Sequence, residues 1–370
     1  MKIDHIHFYT SNSTKTSNWL IRNIGFQKIG TCVNQHTHTE LIALNAAYFV
    51  ISSPLNSTSP VAQYLNHHPA GVADIAFRVK NLATTIDRSR CLGIKIVQDI
   101  QLKESPQGNF KFAKVIGWND LQHTLIETKE PLDYCVPLDL QPVQADFPSQ
   151  SQGNHITHID HVVLNVAQGK LEPAVELYQE LFNFEVQQSF KIQTEKSGLT
   201  SQALIDPAGE VQFNINQSTT ANSQIQEFID LNGGSGIQHL ALRSQNLIAD
   251  VAQLHQGDLK FLTVPSEYYD RLQPWQSLSY AERIAVAQQQ ILVDGDSTAT
   301  MPGDLVFPQS LLMQIFTQPI FEQPTFFLEF IERRHSATGF GQGNFQSLFE
   351  AVEKQSQQSH SVLEALSSKL

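Results

Sequence analysis

Cysteine, basic charge and long apolar runs are scarce in this chain. Its three cysteines, Cys32, Cys91 and Cys135, share no short CxxC spacing and all fall in the first half. They argue against a disulfide framework or a thiolate metal site and fit a reducing, cytoplasmic compartment. Lys and Arg total 24 against 36 Asp and Glu, a formal net charge of −12, and no block of like charge stands out. Nucleic acid and anionic membranes need clustered cations, so neither is expected as a partner. The start, MKIDHIHFYTSN, lacks the apolar centre of a secretion signal, and no unbroken apolar run approaches a membrane span. With 370 residues, 41% of them hydrophobic, the chain has room for two domains of ordinary size.

What the chain does contain is a repeat. Ile3-Asp4-His5 returns as Ile159-Asp160-His161, and GVADIAFRVKNL from Gly71 returns from Gly236 as GIQHLALRSQNL. Each half then ends on a carboxylate in an apolar run, LIE at Glu127 and FLEF at Glu329. Between the halves, Pro131, Pro137, Pro142, Pro148 and the polar run SQSQGN break any regular element. This places domain 1 at residues 1–150 and domain 2 at residues 151–370. Each half opens with a strand, followed by helix-like stretches at 16–22 and 173–181 and then short β-rich runs. The expected class is α+β, repeated twice, with antiparallel-looking strands curling around a pocket.

The second half carries an insertion, because its last two repeat residues lie at 239 and 329 against 74 and 127 in the first. Ser279 and Glu282 form a capping box ahead of Ile284, Ala287 and Ile291, so part of the insertion is a helix. After Glu329, the glycines Gly339, Gly341 and Gly343 lead to Asn344, a helix cap. Phe345, Leu348, Phe349 and Val352 then share one helical face, the pattern of a closing helix behind a hinge.

The second half offers His161, His239 and Glu329; the first offers His5, Asp74 and Glu127. Two imidazoles and a carboxylate with open positions form the ligand set of non-haem Fe(II) oxygenases, so only the second half is complete. Regular strand alternation places His161 with Ile159 and Val163, and His239 with Ile237 and Ala241. Glu329 is the sharpest case. It stands in TFFLEFIERR, apolar on both faces, where a buried, unpaired charge costs several kcal/mol. A single interior histidine is more often a hydrogen-bonded core residue, but three candidates at matching places in a repeat point to a metal. The first half reads as a structural partner without one.

These residues resemble the vicinal oxygen chelate superfamily, whose paired βαβββ-type halves form glyoxalase-like barrels. Within it they are similar to the 4-hydroxyphenylpyruvate dioxygenase family. The strings that carry the likeness are IDHVV, SGIQHLAL, LLMQIFTQP, FFLEFIERR and GFGQGNFQSLFEAVE. The resemblance implies an Fe(II) enzyme that turns 4-hydroxyphenylpyruvate and O₂ into homogentisate and CO₂. It implies His161, His239 and Glu329 as metal ligands and Gln238, Gln314 and Phe316 as catalytic residues. Ser201, Asn216, Gln224, Phe327, Phe340, Asn344 and Phe345 are implied for substrate binding. Regular alternation would turn Gln238 away from the site unless the strand bulges there. Two departures stand out: Asn214 occupies a position where the family usually has Pro, and the segment 298–308 is longer than expected. The family further implies a homodimer or larger assembly.

Three other readings compete. Hydroxymandelate synthase shares the substrate but hydroxylates the side chain; the resemblance associates Phe316 and Asn216 with ring chemistry. An extradiol ring-cleaving dioxygenase shares the fold and triad but would not need the glycine-rich closing segment in this form. A metal-free binding module has no use for the intact triad. Whether the product serves tyrosine catabolism or prenylquinone biosynthesis stays open.

Overall fold

A computed structural model of the protein describes residues 1–105, 107–143, 153–193, 198–221, 223–270, 272, 277–295, 310–335, 337–341 and 343–344. Within them the repeat is fourfold. The first module is β1 (Lys2–Tyr9), α1 (Ser13–Ile24), β2 (Gln27–Val33), β3 (Thr37–Leu44) and β4 (Ala47–Pro54). After the short α2 (Pro60–Leu65), β5 (Gly71–Arg78), α3 (Leu82–Cys91), β6 (Ile96–Lys103), β7 (Phe110–Ile116) and β8 (Gln122–Glu127) repeat the order. A two-residue β9 (Gln141–Pro142) then pairs with β2.

The third module is β10 (Ile156–Val166), α4 (Leu171–Phe182), β11 (Glu185–Gln193), β12 (Gly198–Ile205) and β13 (Gln212–Ser218), followed by α5 (Gln224–Asn232). The fourth is β14 (Gly236–Ser244), α6 (Leu247–Leu254), α7 (Ser266–Asp270), α8 (Tyr280–Gln288), β15 (Leu292–Gly295), β16 (Leu311–Phe316) and β17 (Phe327–Arg334). The capping box at Ser279 and Glu282 is present and opens α8.

The sheets run β6-β7-β8-β5-β1-β4-β3-β2-β9 and β11-β12-β13-β10-β14-β17-β16-β15. The α+β expectation holds, with one correction: the sheets are mixed. In every module the first strand pairs in parallel with the last, as β10 does with β13 and β14 with β17. A helix between parallel neighbours is the usual way to connect them.

The repeated Asn-Leu pairs mark helix starts. Asn81 and Asn246 cap α3 and α6 by accepting hydrogen bonds from the amides of Thr84 and Ala249. The following leucine amides donate to carboxylates on β8 and β17, the last strands of the second and fourth modules, Leu82 to Glu127 and Leu247 to Glu332.

Alternation then decides what faces inward. Val162, Leu164 and Val166 of β10, Leu240 and Leu242 of β14, and Leu328 and Phe330 of β17 join an apolar core that runs through both halves. Tyr178 of α4 packs on Phe213 of β13 in the same core, ring centroids 4.6 Å apart. His161, His239 and Glu329 therefore point to the opposite, concave face. Both edge strands, β11 and β15, line one opening over that face, so the sheet curls most of the way round.

Bulges set this arrangement. On β10 the pairing with β14 slips between Ile159 and His161, leaving Asp160 as the extra residue. On β14 it slips between Ile237 and His239, leaving Gln238. The first half slips in the same places, at Asp4 and Ala73. Regular alternation had put Ile159 with His161 and Ile237 with His239; both isoleucines instead lie in the apolar core. The one-residue slip is what turns each histidine inward.

Candidate metal centre

His161 from β10, His239 from β14 and Glu329 from β17 bring ligand atoms within 4.8 Å of one another, all three residues buried. His161 Nε2 lies 3.2 Å and His239 Nε2 3.5 Å from Glu329 Oε2. Bonds of about 2.1 Å at right angles give neighbouring ligands roughly 3 Å apart, so the spacing fits a divalent cation.

The charges fit one too. Burial pushes the Glu329 carboxyl up, but facing His161 and His239 outweighs it and holds the group at about 2. His161 is raised to about 9: burial works against its proton, while Glu329 and Asp160 favour it. His239 is lowered, chiefly by burial. An anionic carboxylate sealed with two imidazoles needs one positive charge, which a protonated ring or a divalent cation can supply.

Each ligand is oriented differently. At the bulge, His161 Nδ1–H donates to Asp160 Oδ1 (2.9 Å), which leaves Nε2 facing the site. Asp160 is itself clamped by Arg333, whose Nε and Nη2 donate to its two oxygens at 3.0 and 2.7 Å, and by Arg243 Nη1 at 3.0 Å. Burial raises the Asp160 carboxyl, yet these partners hold it well below the usual carboxylate range. Among the described residues His239 has no partner at Nδ1; its ring stacks on Phe327, centroids 4.7 Å apart and planes 17° apart. Gln314 holds the carboxylate, Nε2 donating to Glu329 Oε1 at 2.8 Å.

A strap from the C-terminal segment crosses the site. Phe340 sets its ring edge-on to His161 at 5.0 Å, and its carbonyl accepts from Gln314 Nε2 at 3.1 Å. Arg333 Nη1 donates to Gly339 O. Asn344 Nδ2 donates to Gln314 Oε1 (2.9 Å), while Tyr268 donates to Asn344 Oδ1 (2.8 Å). Gly339 and Gly341 take left-handed φ values of 80° and 70°, which lets the chain turn here.

The remaining residues singled out from sequence fall as follows. Phe316 and Phe327 pack together with Leu262 and Leu292, and Phe316 pairs in register with Glu329. Ser201 and Asn216 face each other across β12 and β13, at most 1% exposed. Gln238 is the half-buried bulge residue, and Gln224, also half-buried, is the first residue of α5. Gln314 is engaged with Glu329, Phe340 and Asn344, so its amide acts on those groups. Phe345, the closing helix beyond Asn344 and the 298–308 segment lie outside the described residues.

Sequence reading missed Asp160, Arg333, Asn165 and the pocket-facing role of Asn214. Asn165 and Asn214 were within reach, since alternation from His161 and Asn216 selects them.

The first half departs from its expected triad. Register makes Thr124, and not Glu127, the counterpart of Glu329: Arg78 pairs with Ile126 as Arg243 pairs with Ile331. Glu127 matches Glu332, and both cap a helix. Asp74, standing where His239 stands, accepts from Thr124 N and Oγ1 and pairs with Lys114 Nζ at 2.8 Å. An ammonium neutralises this carboxylate.

Comparison with known proteins agrees with the geometry. A sequence profile of the Glyoxalase/Bleomycin resistance protein/Dioxygenase superfamily matches residues 158–273. An uncharacterized protein of Synechocystis sp. is 33% identical, over 95% of this chain and 97% of its own. The 4-hydroxyphenylpyruvate dioxygenase of Caenorhabditis briggsae is 31% identical, over 95% of this chain and 90% of its own. A mutant 4-hydroxymandelate synthase from Streptomyces coelicolor shares the fold, with a TM-score of 0.83, 24% identity and coverage of 96% and 98%. Among the described residues no helix is long and apolar enough to cross a membrane. With likeness running through nearly the full length of both sequences, this chain belongs to the 4-hydroxyphenylpyruvate dioxygenase family, dioxygenases with a non-haem metal site.

Proposed function

We propose that the protein is an Fe(II)-dependent dioxygenase converting 4-hydroxyphenylpyruvate and O₂ to homogentisate and CO₂. Oxidative decarboxylation, ring hydroxylation and side-chain migration make up the reaction. The observation that carries the reading is the buried His161, His239 and Glu329 set, with its ligand atoms within 4.8 Å of one another. These three would hold the metal. When bound, Fe(II) supplies the redox chemistry that couples decarboxylation of a 2-oxo acid to reduction of O₂.

The chain's own groups do the rest. Asp160 keeps the His161 proton on Nδ1 and so keeps Nε2 turned to the site. Gln314 occupies Glu329 Oε1 and leaves Oε2 facing the imidazoles. Phe316, Phe327 and Phe340 form walls that exclude water. Ser201 and Asn216 offer neutral polar atoms to the substrate, with Gln224, Gln238 and Phe345 as further contacts. Asn344 fixes the strap. Holding oxo acid and O₂ side by side converts a bimolecular encounter into a positioned one. In this reading residues 1–150 are a structural domain without metal. Residues 151–370 are the catalytic domain. The cytoplasmic enzyme works as a homodimer or larger homo-oligomer.

The test is anaerobic loading with Fe(II), then 4-hydroxyphenylpyruvate and air, with the product identified by mass and NMR. Homogentisate is expected. Hydroxymandelate would replace ring chemistry by side-chain chemistry, and tight binding without turnover would replace the enzyme by a binding module.

A further inference from the structure

The insertion of the second half does more than add apolar packing. Between α6 and β15 run residues 255–291, where the first half passes from α3 to β6 through residues 92–95. Within them α7 carries Tyr268, half-buried and packed against the cluster that holds Phe316 and Phe327. Its hydroxyl takes the Val293 N–H at 2.8 Å and lies 2.8 Å from Asn344 Oδ1 and 2.9 Å from Val293 O. Asn344 Nδ2 donates to Gln314 Oε1 at 2.9 Å. Gln314 Nε2 donates to Glu329 Oε1 at 2.8 Å and to the Phe340 carbonyl at 3.1 Å. Tyr268, Asn344 and Gln314 thus form a hydrogen-bonded file from the insertion, through the strap, to a metal ligand.

Oxygen and nitrogen of a carboxamide have nearly the same shape, so the partners decide which way each is turned. Gln314 meets a carboxylate oxygen and a carbonyl, both acceptors, and must present its nitrogen to them. Its oxygen then faces Asn344, which must answer with nitrogen. That leaves Asn344 Oδ1 towards Tyr268, whose single proton must go there and not to Val293 O. The other end gives the same direction, because a backbone N–H can only donate and Val293 N does so to the hydroxyl. Burial raises the Tyr268 pKa, so the hydroxyl keeps its proton. Donors therefore point inward at every link, and bonds in such a chain strengthen one another.

The strap supplies the middle link. Without Asn344, Gln314 Oε1 loses the donor that holds it, and the amide can turn its oxygen toward Glu329, acceptor against acceptor. We infer that Tyr268 is a positioning residue for the metal-binding carboxylate. Its hydroxyl orients Asn344, and Asn344 keeps the donor side of Gln314 on Glu329 Oε1 while Oε2 faces the imidazoles. Seating of the strap and setting of the third ligand are then one event. The inference rests on Glu329 binding metal, as in the proposed function, and states what the insertion adds to that site.

The experiment titrates Zn(II) into the metal-free full chain against a coloured chelator, which reads the ligand set without turnover. Tyr268→Phe should weaken Zn(II) about tenfold, the lower end for losing a partner behind a metal ligand. Asn344→Ala cuts the same file without touching the Val293 amide and should weaken it at least as much. The decisive measurement places Tyr268→Phe in a Gln314→Leu background. A hydroxyl acting through Gln314 has nothing left to act on there, so affinity should change by no more than about twofold. Tyr269→Phe, which removes the neighbouring hydroxyl from Ile291 O, is the control and should match wild type.

An unchanged affinity in either Tyr268→Phe or Asn344→Ala overturns the inference. So does an equal loss from Tyr268→Phe with and without Gln314, the mark of a hydroxyl that only braces β15, or an equal loss in Tyr269→Phe. If Tyr268→Phe does not fold, Asn344→Ala alone and combined with Gln314→Leu carries the same comparison. Any of these failures, in a wild type that binds Zn(II) and as the Fe(II) protein converts 4-hydroxyphenylpyruvate, leaves the dioxygenase reading intact. A wild type that takes up no metal overturns both.

Discussion

Lys114 stands to Asp74 in the first half as a metal would stand to His239 in the second. The ammonium lies 2.8 Å from Asp74 Oδ2, and Thr124 donates to the same oxygen at 2.6 Å. Register makes Lys114 the counterpart of Phe316, since each pairs with the residue at the third ligand position, Thr124 or Glu329. The two halves therefore bury a carboxylate at different positions of the same site and compensate it differently, Asp74 by an ammonium and Glu329 by the imidazoles that face it.

Removing the ammonium should unfold more than it changes. Lys114→Met leaves the buried Asp74 unpaired and should cost about 3 kcal/mol, the low end for a broken buried pair, because Lys114 keeps 19% exposure. Urea denaturation checks this, and Lys114→Met with Asp74→Asn should regain most of the loss. Fe(II) retention should persist in the double variant. Loss of iron there would show that the halves are not independent in this respect.

The same carboxylate sets a pH dependence. Burial raises Asp74, but Lys114 and Thr124 outweigh it and leave its folded pKa below the ordinary 3.8. A depressed folded pKa gives stability that is full above the unfolded value and is lost as pH falls below it. Wild type should lose stability more steeply below about pH 4 than Asp74→Asn, which thermal melts across an acid series will measure.

Asp160→Ala removes the group that fixes the His161 tautomer and ties Arg333 in place. Metal affinity should fall about 10- to 100-fold, read by competition with a coloured chelator on anaerobic protein. An unchanged affinity would sink the assigned role. The strap should also loosen, because Arg333 links Asp160 to Gly339.

Gln314→Leu tests the other anchor. It removes the donor to Glu329 and to the Phe340 carbonyl together with the acceptor for Asn344. Amide exchange across residues 337–344 should quicken by an order of magnitude or more, each lost hydrogen bond contributing about 1 kcal/mol. Exchange no faster than wild type would mean the strap is held elsewhere.

The repeat, the two-half layout and the three residues that cluster were legible because apolar pattern and ligand chemistry are written locally. The bulges were not. A one-residue slip leaves no mark on an apolar run, yet it moved Ile159 and Ile237 into the core and their histidines inward. Glu127 was misaligned for a similar reason: LIE and FLEF look alike, and only pairing to Arg78 and Arg243 shows that Glu127 answers to Glu332. Lys114 was invisible because it arrives from a neighbouring strand. Asn214 attracted notice only as a departure; that its amide has no partner among the described residues is a property of the folded sheet.

The order of strands has a consequence for biosynthesis. Among the described residues, His161 lies on the strand of the second sheet that comes first in sequence, and Glu329 on the one that comes last, which docks between β14 and β16. A growing polypeptide with both histidines already exposed still lacks the acid that completes the cage. Capture of a metal by all three ligands would therefore wait until β17 has left the ribosome, which would make metallation a late event that reports a folded second half.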